Sequence, residues 1–310
     1  MISPQAYIAR SILDALVRKK GKGDALYGLP EPVKPEKAYQ PPKGYTHQVM
    51  DTPNATMEIF TGPRPDAVLF NIHGGGFTQG LTNARRNMAV SYSKAAKGAT
   101  VICPDYRIAP AVRHPAALED TYDAWRLMCK MGFDPSRVVV VSDSAGGNLA
   151  FALALYLRDR GEALPKAIFS MSPLLDCAFA GASHGFNLYR DPMFGKPDKW
   201  LPKDPVQKRK LAYAGDADPY DPYLSPLYGD LHGLPPIRLQ TGTWEILLSD
   251  TVDFVQKAKA AGVDAAASLY DGMPHIFQCM YDLMPESRTA WSEIAHFLKE
   301  KLDECDCFIV

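Results

Sequence analysis

Ser144 stands where its neighbours could make it a nucleophile. The stretch VSDSAGGNLA (residues 141–150) joins an apolar run rich in valine to an apolar segment of helical character. At such strand-to-helix turns a catalytic serine usually lies in G-x-S-x-G, because small residues are needed where strand and helix nearly touch. Gly146 fits this pattern, whereas Ser142 replaces the first glycine. The turn predicts an exposed nucleophile with the Ala145 N–H as an oxyanion donor; an ordinary glycine-rich turn is the alternative.

The loop HGGGF (residues 73–77) is a second candidate element, directly after the apolar strand AVLFNI. Consecutive glycines let the backbone run close to a ligand and turn its N–H groups inward. A tetrahedral oxyanion needs such donors, and each lowers the barrier by roughly 3–4 kcal/mol. The loop therefore predicts Gly74, Gly75 and Gly76 as oxyanion donors beside Ala145. A Walker-type phosphate loop is excluded because no G-K-[ST] follows, and His73 is expected to order the loop.

A general base and its acid must come from later in the chain. His275 lies in GMPHIF (residues 272–277), after the last predicted strand. Glu245 directly follows the strand PIRLQTG, and the order serine, acid, histidine is that of α/β-hydrolase triads. Asp250 and Asp271 are the competing acids, but the first is expected inside a helix and the second too close to the histidine. Glu245 is therefore the predicted acid, which would orient His275 and stabilise its imidazolium.

Apolar strands alternate with helical segments from about residue 45 onward. This alternation predicts a mostly parallel eight-stranded sheet with helices on both faces. The predicted strands cover about 45–50, 57–62, 66–72, 99–106, 137–143, 166–172, 236–242 and 265–272. Helices are predicted over about 83–97 and 116–131, after Ser144, over 250–262 and over 287–302. Ligands of such sheets bind beyond the carboxyl ends of the strands, where the three candidate elements meet.

Two segments interrupt this rhythm and define the predicted organisation. Residues 1–44 read as an N-terminal cap helix followed by a proline-rich arm. Residues 176–226 contain many Pro, Gly, Asp and aromatic residues without a clear strand. Because an irregular loop of that length is rare in a compact domain, we expect a cap insertion that covers the pocket. The α/β core is then predicted over 45–175 and 227–310.

The composition limits which binding partners and which cellular compartment are expected. The 310 residues carry a net charge of −1, which gives no electrostatic reason to expect nucleic acid or an anionic membrane. No apolar run is long enough for stable membrane insertion, and the N-terminus lacks the pattern of a secretory signal. With six scattered cysteines, a reducing, cytoplasmic location is expected. The final residues CFIV only loosely match a prenylation box, and the sequence does not decide whether they are lipidated.

Five motifs together resemble one family, the hormone-sensitive-lipase-like esterases of the α/β-hydrolase fold. They are HGGGF, DYRIAPAVRHPAALED (residues 105–120), SDSAGGN, LPPIRLQTGTWEILLSD (residues 234–250) and GMPHIF. They follow one another in the order and spacing of that family, and the similarity covers about residues 66–300. A decayed catalytic turn at Ser144 becomes improbable when four other motifs accompany it.

The resemblance implies a carboxylic ester hydrolase with a helical cap, acting on small-molecule esters with short acyl groups. It places the nucleophile on Ser144, the base on His275 and the acid on Glu245. The oxyanion donors fall on the N–H groups of Gly75, Gly76 and Ala145, with Gly74 a close third in the glycine run. Such an enzyme needs no metal or organic cofactor, and a homodimer is possible.

The sequence departs from the family pattern at two positions, and two other functions are known in the family. Ser142 replaces the elbow glycine, and Ala111 replaces the glutamate that normally follows the DYR-x-AP motif, which puts a local ion pair in doubt. Some relatives bind a small hydrophobic ligand as receptors, usually after losing the histidine. Others catalyse non-hydrolytic elimination from a metabolite as lyases or dehydratases. His275 is present here, which favours the esterase.

Overall fold

The computed structural model of the chain describes residues 2–20, 36–195, 211–280 and 283–303. Within these ranges the backbone forms one eight-stranded sheet and seven α-helices. The strands are β1 (Thr46–Asp51), β2 (Thr56–Thr61), β3 (Arg64–Ile72), β4 (Ala99–Asp105), β5 (Val138–Asp143), β6 (Ala167–Met171), β7 (Ile237–Gly242) and β8 (Ala265–Tyr270). The helices are α1 (Pro4–Lys20), α2 (Asn83–Ala95), α3 (Ala116–Lys130), α4 (Ser144–Asp159), α5 (Ser183–Phe186), α6 (Leu248–Ala260) and α7 (Pro285–Asp303).

The strands lie in the order β1-β2-β4-β3-β5-β6-β7-β8. β1 and β2 pair antiparallel at one edge, and all strands from β4 to β8 along this order are parallel. The predicted α/β-hydrolase fold is confirmed, because the carboxyl ends of β3, β5, β7 and β8 deliver the four candidate loops to one edge of the sheet.

Both faces of the sheet are covered by helices, and the alternation along β5 shows how. Val138 and Val140 pack with α3, α4 and α6, through side chains such as Trp125, Leu149 and Phe254. Val139 and Val141 point to the opposite face, where they pack with α2 and α7. A strand buried on both faces has no polar side to show, which is why β5 reads as an unbroken run of valines.

The N-terminal helix α1 lies against the part of the chain that carries His275. Ala6 and Ala9 are buried in a small apolar cluster with Met273 and Phe277. The N–H and hydroxyl of Ser3, next to α1, donate to the Glu286 carboxylate at 2.8 and 2.9 Å. α1 therefore supports the histidine loop from outside.

The predicted core strands and helices match the observed ones to within a few residues at each end. The insertion differs from a purely helical cap: its described residues contain only the short α5 and a 3-10 turn at Pro226–Tyr228, otherwise turns and bends. Three segments lie outside the described residues, namely residues 21–35 of the arm, residues 196–210 of the insertion and the terminal CFIV. The domain boundaries stay predictions. None of the described helices is long and apolar enough to cross a membrane.

Candidate active site

Ser144 occupies a sharp turn between β5 and α4. Its φ of 52° lies in the left-handed region, which costs a serine conformational energy and is typical of a nucleophile elbow. The side chain is only 5% exposed. After this turn α4 passes close to the end of β3. A Cβ on Gly146 would lie only 2.1 Å from the Ile72 carbonyl oxygen. Gly146 is therefore required at this crossing.

Ser142 fits the elbow without displacing it. Its side chain is fully buried, and its Oγ donates to Ser170 Oγ of β6 at 3.0 Å. The hydroxyl thus points across the sheet to the neighbouring strand. The Ser142 side chain therefore adds a hydrogen bond between β5 and β6, which a glycine at this position could not form.

Replacing Ser142 with glycine should lower stability and leave catalysis nearly intact. The variant loses a buried hydrogen bond and gains backbone freedom in the unfolded chain, so the free energy of unfolding should fall by about 1–2 kcal/mol. Turnover of p-nitrophenyl acetate should stay within about threefold, because the lost hydroxyl bonds to β6. Urea unfolding and steady-state kinetics measure both quantities; a tenfold gain in kcat would instead show that Ser142 strains the elbow.

The structure brings Ser144, His275 and Glu245 into one hydrogen-bonded line. His275 Nε2 lies 3.0 Å from Ser144 Oγ, and His275 Nδ1 lies 2.7 Å from Glu245 Oε2. All three side chains are buried. In this arrangement the imidazole can accept the serine proton on one nitrogen while the other donates to the carboxylate.

The second oxygen of Glu245 is held as firmly as the first. Its Oε1 accepts hydrogen bonds from the hydroxyls of Ser172 at 2.7 Å and Thr241 at 3.1 Å, and from the Gly242 N–H. Ser172 Oγ also accepts the N–H of Ile276, the residue after the histidine, at 3.3 Å. These donors orient the carboxylate, so that Oε2 faces His275.

The competing acids lie elsewhere. Asp250 is buried in α6, where its Oδ1 lies 2.8 Å from His184 Nε2. Asp271 is exposed and accepts a 3.3 Å hydrogen bond from Thr243 Oγ1. Of the three acids considered, Glu245 alone lies against His275.

The glycine loop presents two donors, not three. Gly75 and Gly76 have φ values of 128° and 61°, which only glycine adopts easily. Within the described ranges their N–H groups, like that of Ala145, have no hydrogen-bond acceptor. The Gly74 N–H differs: it donates to Asp143 Oδ1 at 3.1 Å. The prediction of Gly74 as an oxyanion donor is therefore corrected, because a carboxylate already occupies that donor.

His73 orders the loop, as predicted. It is fully buried, its Nδ1 lies 2.7 Å from the Gly74 carbonyl oxygen, and its ring stacks on Tyr106 at 4.4 Å. Burial lowers the pKa of His73 to about 3, so the imidazole stays neutral at physiological pH. A neutral, buried imidazole at this place fits a structural role in the loop, and His275 stays the predicted base.

An ion pair is present within the motif that contains Ala111. Arg107 donates to both oxygens of the buried Asp120, with Nη2 to Oδ1 at 2.8 Å and Nε to Oδ2 at 2.9 Å. The backbone N–H of Arg107 also donates to this carboxylate at 2.8 Å. Asp120 closes the DYRIAPAVRHPAALED motif, so the strand-to-helix connection keeps its anchor.

Several residues at the site were not anticipated from the sequence. Ser172, Asp143, Asn187 and Asp191 all bond to the triad turns or the glycine loop. Ser172 directly follows β6, a parallel strand whose carboxyl end had been given no role, and that position was the available signal. Asn187 and Asp191 lie in the insertion, where no motif marks them.

Comparison with known proteins shows which family the chain resembles. The sequence profile of a family described as the alpha/beta hydrolase fold matches residues 69–279. An esterase of Acinetobacter venetianus is 32% identical over 295 residues, covering 94% of this chain and 95% of the relative. An acetyl-hydrolase of Streptomyces hygroscopicus is 34% identical over 257 residues, covering 83% of each chain. The crystal structure of an esterase from the bacterial hormone-sensitive lipase family superposes with a TM-score of 0.80 at 32% identity, covering 97% of this chain and 99% of that one.

These matches and the fold define an α/β hydrolase. Within that class, the chain belongs to the hormone-sensitive-lipase-like esterases. The resemblance carried by the five sequence motifs is thereby confirmed.

Proposed function

We propose that this carboxylic ester hydrolase cleaves short-chain esters through Ser144, His275 and Glu245. One observation carries the proposal: the hydrogen-bonded line from Ser144 Oγ through His275 to Glu245 ends beside backbone N–H groups without acceptors. Nucleophile, base, orienting acid and oxyanion donors are the complete set that acyl transfer to serine requires.

The reaction proceeds in two acyl transfers. His275 Nε2 takes the Ser144 proton as Oγ attacks the ester carbonyl, and the N–H groups of Gly75, Gly76 and Ala145 stabilise the oxyanion. The C–O bond to the alcohol then breaks, and the imidazolium gives its proton to the departing alkoxide oxygen. Water attacks the acyl-enzyme in the same way, releasing the acid and restoring Ser144.

A short acyl group is supported by relatives and by crowding near the glycine loop. One relative is an acetyl-hydrolase, and another, from Pseudomonas putida, is an ethyl acetate hydrolase. In this chain Phe77, directly after the glycines, stacks on Tyr213 of the insertion at 4.1 Å, and both rings are buried. The Phe194 ring lies 4.7 Å from the His275 ring. These buried aromatic rings near His275 and after the glycine loop support a short acyl group.

A series of p-nitrophenyl esters from acetyl to dodecanoyl tests this substrate class. We expect kcat/KM to be highest for acetyl to butyryl esters and to fall by at least about tenfold by decanoyl, because longer chains must displace buried aromatic rings. Steady-state assays below the critical micelle concentration measure the series. A maximum at decanoyl or beyond would contradict the short-chain proposal and leave the triad untouched.

Labelling with an organophosphate separates the esterase from the receptor and the lyase. Diethyl fluorophosphate should transfer one diethyl phosphoryl group to Ser144, as located by mass spectrometry of the peptides. The esterase activity should fall in proportion to the fraction of protein labelled. A receptor or lyase on this scaffold predicts no turnover of an activated acetyl ester. The contact between His275 and Ser144 favours the hydrolase.

A further inference from the structure

A turn of the insertion forms hydrogen bonds with the backbone on both sides of Glu245. Asn187 Nδ2 donates to the carbonyl oxygens of Thr243 at 2.9 Å and Glu245 at 2.8 Å. Asp191 Oδ2 accepts the N–H of Ile246, the residue after the acid, at 2.9 Å. Both side chains are buried. The peptide groups that carry the triad acid are thus held by side chains that come from the cap.

The other oxygen of Asp191 holds a residue that contacts the base. Asp191 Oδ1 accepts the N–H groups of Met193 at 2.8 Å and Phe194 at 3.0 Å. The Phe194 ring meets His275 edge-on, with 4.7 Å between the centroids. A single carboxylate therefore links the backbone beside Glu245 to the ring that packs on His275.

Attachment of the insertion to the core does not depend on this carboxylate. Ser183 Oγ lies 2.7 Å from Ser249 Oγ, and His184 Nε2 lies 2.8 Å from Asp250 Oδ1, so α5 is fixed to α6 by a separate pair of buried contacts. A structural tether already exists at α5. Asp191 adds a contact at the triad itself.

Asp191 also brings charge close to the base. Burial raises the pKa of its carboxyl group, and the N–H groups of Ile246 and Phe194 and the nearby His275 act in the opposite direction. Among the described residues, His275 and Glu245 interact electrostatically with Asp191, and the buried Asp143 also interacts with His275. A carboxylate at this place favours the imidazolium that forms when His275 takes the serine proton.

We propose that Asp191 is a positioning residue of the triad, through which the insertion holds Glu245 and His275 in their relative positions. This inference rests on the proposed triad and adds to it. It makes the cap part of the catalytic geometry as well as a cover for the pocket.

The variant Asp191→Asn tests the inference. An amide has one acceptor oxygen, so it can serve either Ile246 or the Met193 and Phe194 pair, and its NH2 group must face the other donors. We expect kcat for p-nitrophenyl acetate, per active site titrated with the organophosphate, to fall by roughly 10- to 100-fold with KM little changed. The acid limb of the kcat/KM profile should move to lower pH, because a negative charge beside His275 has been removed.

Asp176→Asn is the matched control. Asp176 is also buried, and its carboxylate also accepts backbone N–H groups of the insertion, from Ala178, Ala180 and Gly181. None of its recorded contacts reaches residues 243–246. We expect this variant to lose stability and to keep the wild-type turnover per titrated site and the wild-type acid limb.

Wild-type turnover per site and an unshifted acid limb in Asp191→Asn would overturn the inference, even with the triad intact. If Asp191→Asn does not fold, Asn187→Ala decides: it should lower turnover per titrated site at least about tenfold without moving the acid limb, since no charge is lost. Unchanged turnover per site in that variant would equally overturn the inference. Failure of the proposed function would appear differently, as persistent hydrolysis by Ser144→Ala.

Discussion

Ser144→Ala should lower kcat for p-nitrophenyl acetate by about 10⁴- to 10⁶-fold and remove the burst of p-nitrophenol. The wild-type hydroxyl lies 3.0 Å from His275 Nε2, and Ser144 is the first residue of α4. Without it no acyl-enzyme can form, and the residual rate reflects substrate binding and oxyanion stabilisation alone. Stopped-flow absorbance measures the burst, and steady-state assays with purified protein measure the residual rate.

Ser142→Ala is the matched control for this variant. It removes a hydroxyl from the same elbow, two residues earlier, but that hydroxyl bonds to Ser170 of β6. The control should keep turnover within about threefold and lose about 1 kcal/mol of stability. Retention of more than one hundredth of wild-type turnover by Ser144→Ala, or phosphorylation of another serine by the organophosphate, would remove Ser144 from the mechanism.

The core fold was predictable because its signals are local. β5 shows this best: helices cover both faces of this strand, so successive residues Val138–Val141 are all apolar, and the run identifies a central parallel strand directly. The candidates Ser144, Glu245 and His275 were accessible for a related reason. Each follows a strand that ends at the same edge of the sheet, and topology brings such positions together.

The supporting contacts were not predictable, because they depend on distances that no spacing encodes. Asp191 lies 54 residues before Glu245, in a segment without strand or repeat, and its role follows from where the insertion folds back. Gly74 illustrates the opposite limit. Sequence presents three equivalent glycines, and only the position of the Asp143 carboxylate, which accepts the Gly74 N–H, distinguishes the first from the other two.

Ser142 shows how a local rule can be relaxed by its surroundings. The rule asks for glycine because strand and helix approach closely at the elbow. In this chain the close approach falls on Gly146, while the neighbouring strand offers Ser142 a small polar partner in Ser170. The choice of serine was understandable only once β6 was placed beside β5.

Glu245→Gln should be the second most damaging change, with kcat reduced by about 10³- to 10⁴-fold at neutral pH. Oε1 of the wild-type carboxylate accepts from Ser172, Thr241 and Gly242, so the amide oxygen of glutamine must take that place. Its NH2 group then faces His275 Nδ1, which has to become an acceptor. The imidazole proton moves to Nε2, and that nitrogen can no longer take the proton of Ser144. Steady-state kinetics with p-nitrophenyl acetate measure the loss.

Glu245→Asp separates charge from position. The Ser172, Thr241 and Gly242 donors lie at the distance that suits the longer glutamate side chain. The shorter acid keeps its charge and an acceptor for Nδ1–H, so we expect a smaller loss, about 10- to 100-fold. Both variants should fold, with melting temperatures within a few degrees of each other, because the buried donors keep an oxygen partner. Equal activity of the glutamine variant and the wild type would mean that His275 is oriented without its acid, and the triad would reduce to a dyad.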